Sequence, residues 1–193
     1  MYDQIKKSVL SLVNFSEEEW AVFQDCLIIK KIAKKDFYIQ KGDVCKDVSF
    51  INKGAFRAYY VVDGKEITSY FSFENDYVTD YESFLLKKPS LQYIQAIEDT
   101  ALLVLPYDKM QELYGTGSKA ERYGRLVAES LFVMVYQQKN EFVLYNPEER
   151  YIHLLAQRPD LFQRVPQVYI ASLLGITPET LSRIRKRLSV DKR

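Results

Sequence analysis

Histidine and cysteine are nearly absent from this chain of 193 residues, which has one of the first, His153, and two of the second, Cys26 and Cys45. A single imidazole excludes zinc sites built on two or three histidines, and a Ser-His-Asp triad would have to be built around His153. Two thiols fall short of the roughly four thiolates of an iron–sulfur cluster or an all-cysteine zinc site, and they cannot make a disulfide framework. Long apolar runs are missing as well. The longest uncharged stretch, 165–178, is too short to span a bilayer and is broken by Pro166, Gly175 and Pro178. The N-terminal twenty residues hold no long apolar stretch and no small-residue cleavage site, so no signal peptide is expected. Hydrolytic, zinc and iron–sulfur chemistry are therefore disfavoured. The expectation is a cytoplasmic protein that is not an enzyme, has no metal and no cofactor, and does not meet a membrane.

What is present is a globular composition, 47% hydrophobic and 27% charged, long enough for one large domain or two small ones. The net charge of +1 hides an asymmetry: residues 164–193 carry +5 and the remainder −4. A basic end on an acidic body points to a nucleic-acid contact there, against the plainer reading of a basic tail.

Residues 3–35 read as helical and mixed, with Ser16 and Glu19 spaced as a capping box. From 36 to about 105 the apolar period becomes two. The runs 55–62 and 66–73 alternate on either side of Asp63-Gly64, a strong hairpin signal. Short strands flank them, with turn residues about every ten positions, which predicts an antiparallel barrel or jelly roll. After Pro106 the helical period returns, and 119–145 is the longest helical stretch. Val127, Leu131, Met134 and Gln138 recur along it at three- and four-residue steps, and Leu126, Phe132, Val133 and Val135 make a second side apolar. A helix apolar on two sides needs two partners, and a second copy of itself is the natural second one. Asn146-Pro147-Glu148-Glu149 then suits a helix start, with Asn146 as cap, Pro147 at the first position and two carboxylates at the positive end of the dipole.

Residues 167–186 fit a helix-turn-helix position by position. Ile170, Leu174, Ile176, Leu181 and Ile184 take the buried places, Ala171 is small at the crossing, and Gly175 sits at the turn. Thr177 is placed to cap the second helix and Pro178 to open it. Glu179, Thr180, Ser182, Arg183 and Lys186 then face outward. Such a helix enters the major groove with its first residues at the base edges, where arginine reads guanine and glutamate accepts from cytosine. Arg185, Lys186 and Arg187 are placed for phosphates. The plainer alternative is a helical hairpin with charged solvent faces.

With these residues in view, the chain resembles the Crp/Fnr family of bacterial transcription regulators over essentially its whole length. The likeness rests on Gly42, Gly54, the Asp63-Gly64 hairpin, the run 96–100 leading into ALLVL, and above all on 177–183. It implies an α+β architecture: an N-terminal antiparallel β jelly roll of cyclic-nucleotide-binding type (1–118), a long dimerisation helix (119–145) and a C-terminal helix-turn-helix domain (146–193). It implies double-stranded DNA, a second copy of the chain and RNA polymerase as partners. Glu179 and Arg183 fall at the family's base-reading positions, whereas Pro178 stands where the catabolite-activator type has another arginine, which leaves one base contact open.

Two departures matter. Cyclic-AMP-binding members clamp ribose and phosphate with a Gly-Glu and an Arg-Ser pair; counting back from Ala96, those places hold Thr79 and Asp80, and Ser90 and Leu91. A cyclic phosphate needs a buried positive partner, so cyclic AMP is not expected as a ligand. The candidate effector pocket is Tyr59, Tyr70, Phe71, Thr79, Asp80, Tyr81, Ser90 and Leu91, to be occupied by another ligand or filled by its own aromatics. Second, only SVDKR follows Leu188, so the family's β wing is expected to be absent or truncated. His153 reads as structural rather than as a sensor, Cys26 and Cys45 as ordinary thiols with redox sensing as the alternative, and Asp80, Glu82, Lys87 and Lys88 as a solvated loop. The competing function is a small-molecule-binding module with a vestigial or protein-contacting helix-turn-helix. A cupin-like enzyme on the same barrel fails for want of metal ligands.

Overall fold

The computed structural model describes residues 1–116 and 119–190. Helix α1 (Asp3–Leu12) buries Ile5 and Val9, four residues apart. Helix α2 (Glu17–Asp25) starts on the expected capping box: the Ser16 hydroxyl accepts from the Glu19 N–H, and the Glu19 carboxylate accepts from the Ser16 N–H. There follow β1 (Ile28–Ile32), β2 (Phe37–Ile39), β3 (Asp47–Lys53), β4 (Phe56–Val62), β5 (Lys65–Ser72), β6 (Tyr77–Val78), the short helix α3 (Tyr81–Leu86), β7 (Tyr93–Ala96) and β8 (Thr100–Pro106). They form two four-stranded sheets, ordered β1-β8-β3-β6 and β2-β7-β4-β5. The pairings β1–β8, β3–β8, β3–β6 and β2–β7 are antiparallel. This is the expected roll. The β4–β5 turn uses Asp63 and Gly64, both at positive φ (50° and 74°), as a two-residue hairpin with matching twist requires.

The chain then runs through α4 (Tyr107–Gly115), α5 (Lys119–Leu144), α6 (Pro147–Gln157), α7 (Leu161–Arg164), α8 (Gln167–Leu173) and α9 (Pro178–Val190). It divides into two compact units. The first holds Met1–Ala58 and Phe71–Leu131; the second holds the hairpin segment Tyr59–Tyr70 with the chain from Phe132 onward. Both hairpin strands and α5 thus pass from one unit into the other. The sequence pattern places the domain edges at 118 and 145, whereas tertiary packing divides α5 near its middle.

In the first unit the outward side of the β1-containing sheet is covered by helices. Phe50 and Leu103 pack with Ile5, Val9, Trp20, Phe23, Leu113 and Tyr123. Inside the roll, Tyr38 of β2 packs edge-on to Phe56 of β4, and its hydroxyl reaches Asp47 and Ser49 of β3. Burial first, and then the Asp47 charge, push the Tyr38 phenol well above its usual range. Arg57 on β4 is 1% exposed, so the basic side chain of an alternating strand lies inside the protein rather than on its surface.

Candidate functional site

The segment 167–190 folds as α8, a tight turn and α9. The turn is a Schellman closure: Ile176 N–H donates to Ala171 C=O (3.0 Å) and Gly175 N–H to Ser172 C=O (3.1 Å), with Gly175 at φ +68°. Ile170, Ala171, Leu174, Leu181 and Ile184 are buried, as the pattern requires. Ile176 departs from it and is half-buried, in the turn whose N–H closes α8. Thr177 caps α9 by accepting from Thr180 N–H (3.3 Å). The opposite face of α9 presents Thr177, Glu179, Ser182, Arg183, Arg185, Lys186 and Arg187 as exposed and Thr180 as half-buried.

The polar groups at the start of α9 are linked to one another. Arg183 Nη2 donates to the Thr180 hydroxyl (3.3 Å), which lies 3.2 Å from the Thr177 hydroxyl. The Thr177 hydroxyl, the residue's own N–H and then the Arg183 charge hold the Glu179 carboxyl below its usual range, so it is a carboxylate at neutral pH. Arg187 differs from the expectation of a free phosphate contact. Its guanidinium pairs with Glu148 at the start of α6, Nε donating to Oε1 at 3.1 Å and Nη2 to Oε2. The wing expectation falls on 189–193, of which 191–193 lie outside the described residues.

The second unit is wired by residues that the sequence pattern does not reveal. Arg150 on α6 donates to the carbonyls of Tyr145 (3.0 Å) and Leu174 (2.7 Å) and lies 4.6 Å over the Phe142 ring. His153 Nδ1 meets the Glu141 carboxylate at 3.1 Å, with the Tyr145 ring edge-on at 4.4 Å, so this histidine ties α6 to α5. The Ser172 hydroxyl on α8 caps the edge of β5, accepting from Thr68 N–H (2.9 Å) and donating to Glu66 C=O (3.2 Å). Gln138 donates to Ser69 C=O on the same strand.

Of the four positions expected on the paired face of α5, Gln138 therefore meets its own chain's hairpin. Val127 and Leu131 line an apolar cavity of about 60 Å³ in the first unit, beside Leu27, Val48, Leu103 and Met110. Met134 is exposed. It belongs to an exposed apolar surface of α5 that also includes Phe132, Val133, Val135, Tyr136, Val143 and Leu144.

The eight residues expected in an effector pocket do not form one cluster. Tyr59 and Tyr70 belong to the second unit and Phe71 to the first. Leu91 is 65% exposed. Tyr81 stacks on Phe84 (6.2 Å) and lines the apolar cavity with Val127 and Leu131. Thr79, Asp80 and Ser90 are buried together. Ser90 donates to Asp80 Oδ2 (2.6 Å), while Oδ1 accepts from Ser83 N–H (3.2 Å) and so caps α3. Asp80 is thus an internal anchor, not part of a solvated loop. Ser83 also accepts from Cys45 N–H (2.9 Å), and Thr79 donates to Asp47 C=O (3.0 Å). Burial raises both thiols above their usual range, which keeps Cys26 and Cys45 protonated and poorly nucleophilic. Among the described residues no group of three or more His, Cys, Asp or Glu could hold a metal ion, and no helix is long and apolar enough to cross a membrane.

Residues 29–116 match the family of cyclic nucleotide-binding domains. No curated protein matches the sequence significantly. Solved structures match along most of the chain. One is the c-di-GMP responsive global regulator CLP of Xanthomonas campestris: 16% identity, TM-score 0.71, covering 92% of this chain and 93% of that one. A transcriptional regulator of the crp/fnr family from Eubacterium rectale gives 20% identity, TM-score 0.68 and coverage of 92% and 85%. A CooA variant from Carboxydothermus hydrogenoformans gives 19% identity, TM-score 0.68 and coverage of 94% and 83%. The chain therefore joins a roll of cyclic-nucleotide-binding type to a long helix and further helices, in the fold of the Crp/Fnr regulators.

Proposed function

We propose that this chain, built on the Crp/Fnr fold, is a DNA-binding transcription regulator that acts as a homodimer on an inverted-repeat operator. The observation that carries the reading is α8–α9. A closed turn and a buried apolar seam hold α9 so that Thr177, Glu179, Ser182 and Arg183 project together from its first turns. That arrangement supports the reading of a helix-turn-helix whose second helix enters the major groove. The two fold relatives CLP and the Eubacterium rectale protein are described as regulators, and RNA polymerase is the further partner that such a role implies. The protein works in the cytoplasm, where its DNA is.

The test is selection from a random duplex library, followed by single substitutions. Two inverted half-sites about one helical turn apart are expected, roughly 34 Å. Arg183→Ala removes a guanine contact, costs about 1–3 kcal/mol and relaxes selectivity at one base pair of each half-site. Lys186→Ala or Arg185→Ala instead weakens binding on every sequence and makes the logarithmic salt slope shallower by about 0.9 per lost phosphate contact. Both classes remove one positive charge, so the contrast isolates base reading. An unchanged selected site without Arg183 would make it a phosphate clamp. No selected sequence at all would favour a small-molecule-binding module whose α8–α9 pair is vestigial or meets protein.

The roll is the regulatory half, and its effector is not cyclic AMP. The Asp80–Ser90 hydrogen bond supports this: where the resemblance places the phosphate clamp, a buried carboxylate already takes up the serine hydroxyl. An anionic phosphate brought there would face that buried carboxylate, a like charge at close range. Calorimetry with cyclic AMP should show no binding in the low micromolar range, and a tight titration would refute the assignment.

A further inference from the structure

We propose that Arg150 is a positioning residue that sets the angle between α5 and the α8–α9 pair, and through it the half-site spacing the dimer accepts. The inference rests on the regulator reading above and deepens it. Arg150 sits in the first turn of α6, and its guanidinium touches three other places. One amino group donates to the Tyr145 carbonyl just past α5, at 3.0 Å; the other donates to the carbonyl of Leu174, the C-cap of α8, at 2.7 Å. The face of the group covers the Phe142 ring of α5, 4.6 Å from its centroid. The third nitrogen, Nε, is buried without a hydrogen-bond partner, so the inner edge of the group faces protein while its two amino groups make these bonds.

The chemistry suits a fixed joint. Carbonyls at helix C-termini lack intrahelical donors and carry the negative end of the dipole, so a cation between two such ends satisfies both. A planar guanidinium holds its donors in a rigid fork, and two carbonyls bound by one fork cannot move independently. The ring adds a third constraint on the same plane. A Cβ placed on Gly175 would stand 3.4 Å from Phe142 and 3.8 Å from Arg150, so the helix-joining turn itself abuts this joint. Its position relative to α5 therefore follows the guanidinium. With α5 carrying the two-fold contact, that position decides how far apart and at what angle two copies of α9 reach DNA. One base pair of added spacing shifts a half-site by about 3.4 Å and rotates it by about 35°, which a rigid dimer meets only by distorting itself or the duplex.

The experiment uses the full-length protein and its selected operator, with the distance between half-sites changed by one base pair in either direction and binding followed by fluorescence anisotropy. The wild type should prefer one spacing by about tenfold or more. Arg150→Ala should flatten that preference to within about threefold while leaving the preferred half-site sequence unchanged, and Arg150→Lys, which keeps the charge but not the fork, should fall between. If Arg150→Ala does not fold, Arg150→Lys and Phe142→Leu carry the same test. A variant that binds every spacing more weakly but keeps the wild-type preference would make Arg150 a merely structural residue and overturn the inference. A wild type indifferent to spacing would instead sink the dimeric-regulator reading, and the inference with it.

Discussion

Leu181→Ala is expected to unfold the C-terminal unit selectively and to abolish DNA binding. Leu181 is wholly buried in the seam between α8 and α9, with Ile170, Ala171 and Ile184. Truncating a buried leucine removes its transfer energy and leaves a cavity, at a cost of about 2–5 kcal/mol. The whole stability of a small unit is on the order of 5–15 kcal/mol, so the loss is a large share of it. The second unit also has little redundancy here: α8 has seven residues, and its docking depends on Ile170, Ala171 and the Ser172 bonds to the hairpin. The roll has a core of its own around Phe50, Leu103 and Trp20, which Leu181 does not join. Urea unfolding followed by tryptophan fluorescence reports that core, since Trp20 is the chain's one tryptophan. Far-ultraviolet circular dichroism reports the helices of the second unit as well. The two signals should separate in the variant, with the tryptophan transition in place and the helical one at lower denaturant. A variant that keeps full DNA affinity would show that α9 does not need this seam, which is incompatible with a groove-reading helix held by α8.

The features that were legible in the sequence are those whose partners lie within a few residues. Ser16 with Glu19, Asn146 with Glu149, Asp63 with Gly64, and Gly175 before Thr177-Pro178 each act over one turn of chain, and each forms as its local chemistry requires. The buried positions of α8 and α9 were legible because a two-helix packing imposes its own period. What stayed hidden depends on contacts between distant segments. Nothing within α6 says that Arg150 will meet Leu174, or that Glu148 will take Arg187 away from the phosphate-facing set. The Ser172 hydroxyl meets a strand edge more than a hundred residues earlier in the chain. Asp80 looked like a loop residue because charge content alone cannot separate a solvated loop from one closed on itself by a buried hydrogen bond, here to Ser90. The periodicity of α5 identified apolar positions but not their covers: the helical layer of the roll takes Val127 and Leu131, and the hairpin takes Gln138. Arg57 was invisible for a related reason, since alternation assigns a side to a strand residue and cannot say that both sides are buried.

The second large effect is expected at the far half of α5. Phe132 is 71% exposed, Val143 70% and Leu144 67%, with Val133, Val135 and Tyr136 exposed beside them. Apolar surface on several sides of one helix is the mark of an association face, and each phenylalanine or valine side chain removed from water contributes about 1.5–3 kcal/mol. On the proposed reading of a dimeric regulator, a second copy of α5 is the partner. Phe132→Asp with Val135→Asp places two carboxylates on neighbouring turns of that face. Both positions are exposed in the single chain, where Phe132 loses only its stacking on the exposed Tyr136 ring, so the change acts mainly on association. Sedimentation at micromolar concentration should give a dimer for the wild type and a monomer for the double variant. Its circular dichroism and tryptophan emission should match those of the wild type. Affinity for a two-half-site operator should then fall by about 10²–10⁴, because the second half-site is no longer bound at the high effective concentration set by the first. Affinity for an isolated half-site should barely change, which separates loss of linkage from damage to α9. A monomeric wild type, or a double variant that stays dimeric and binds the whole operator as before, would remove α5 from the dimer and leave its exposed surface to another partner.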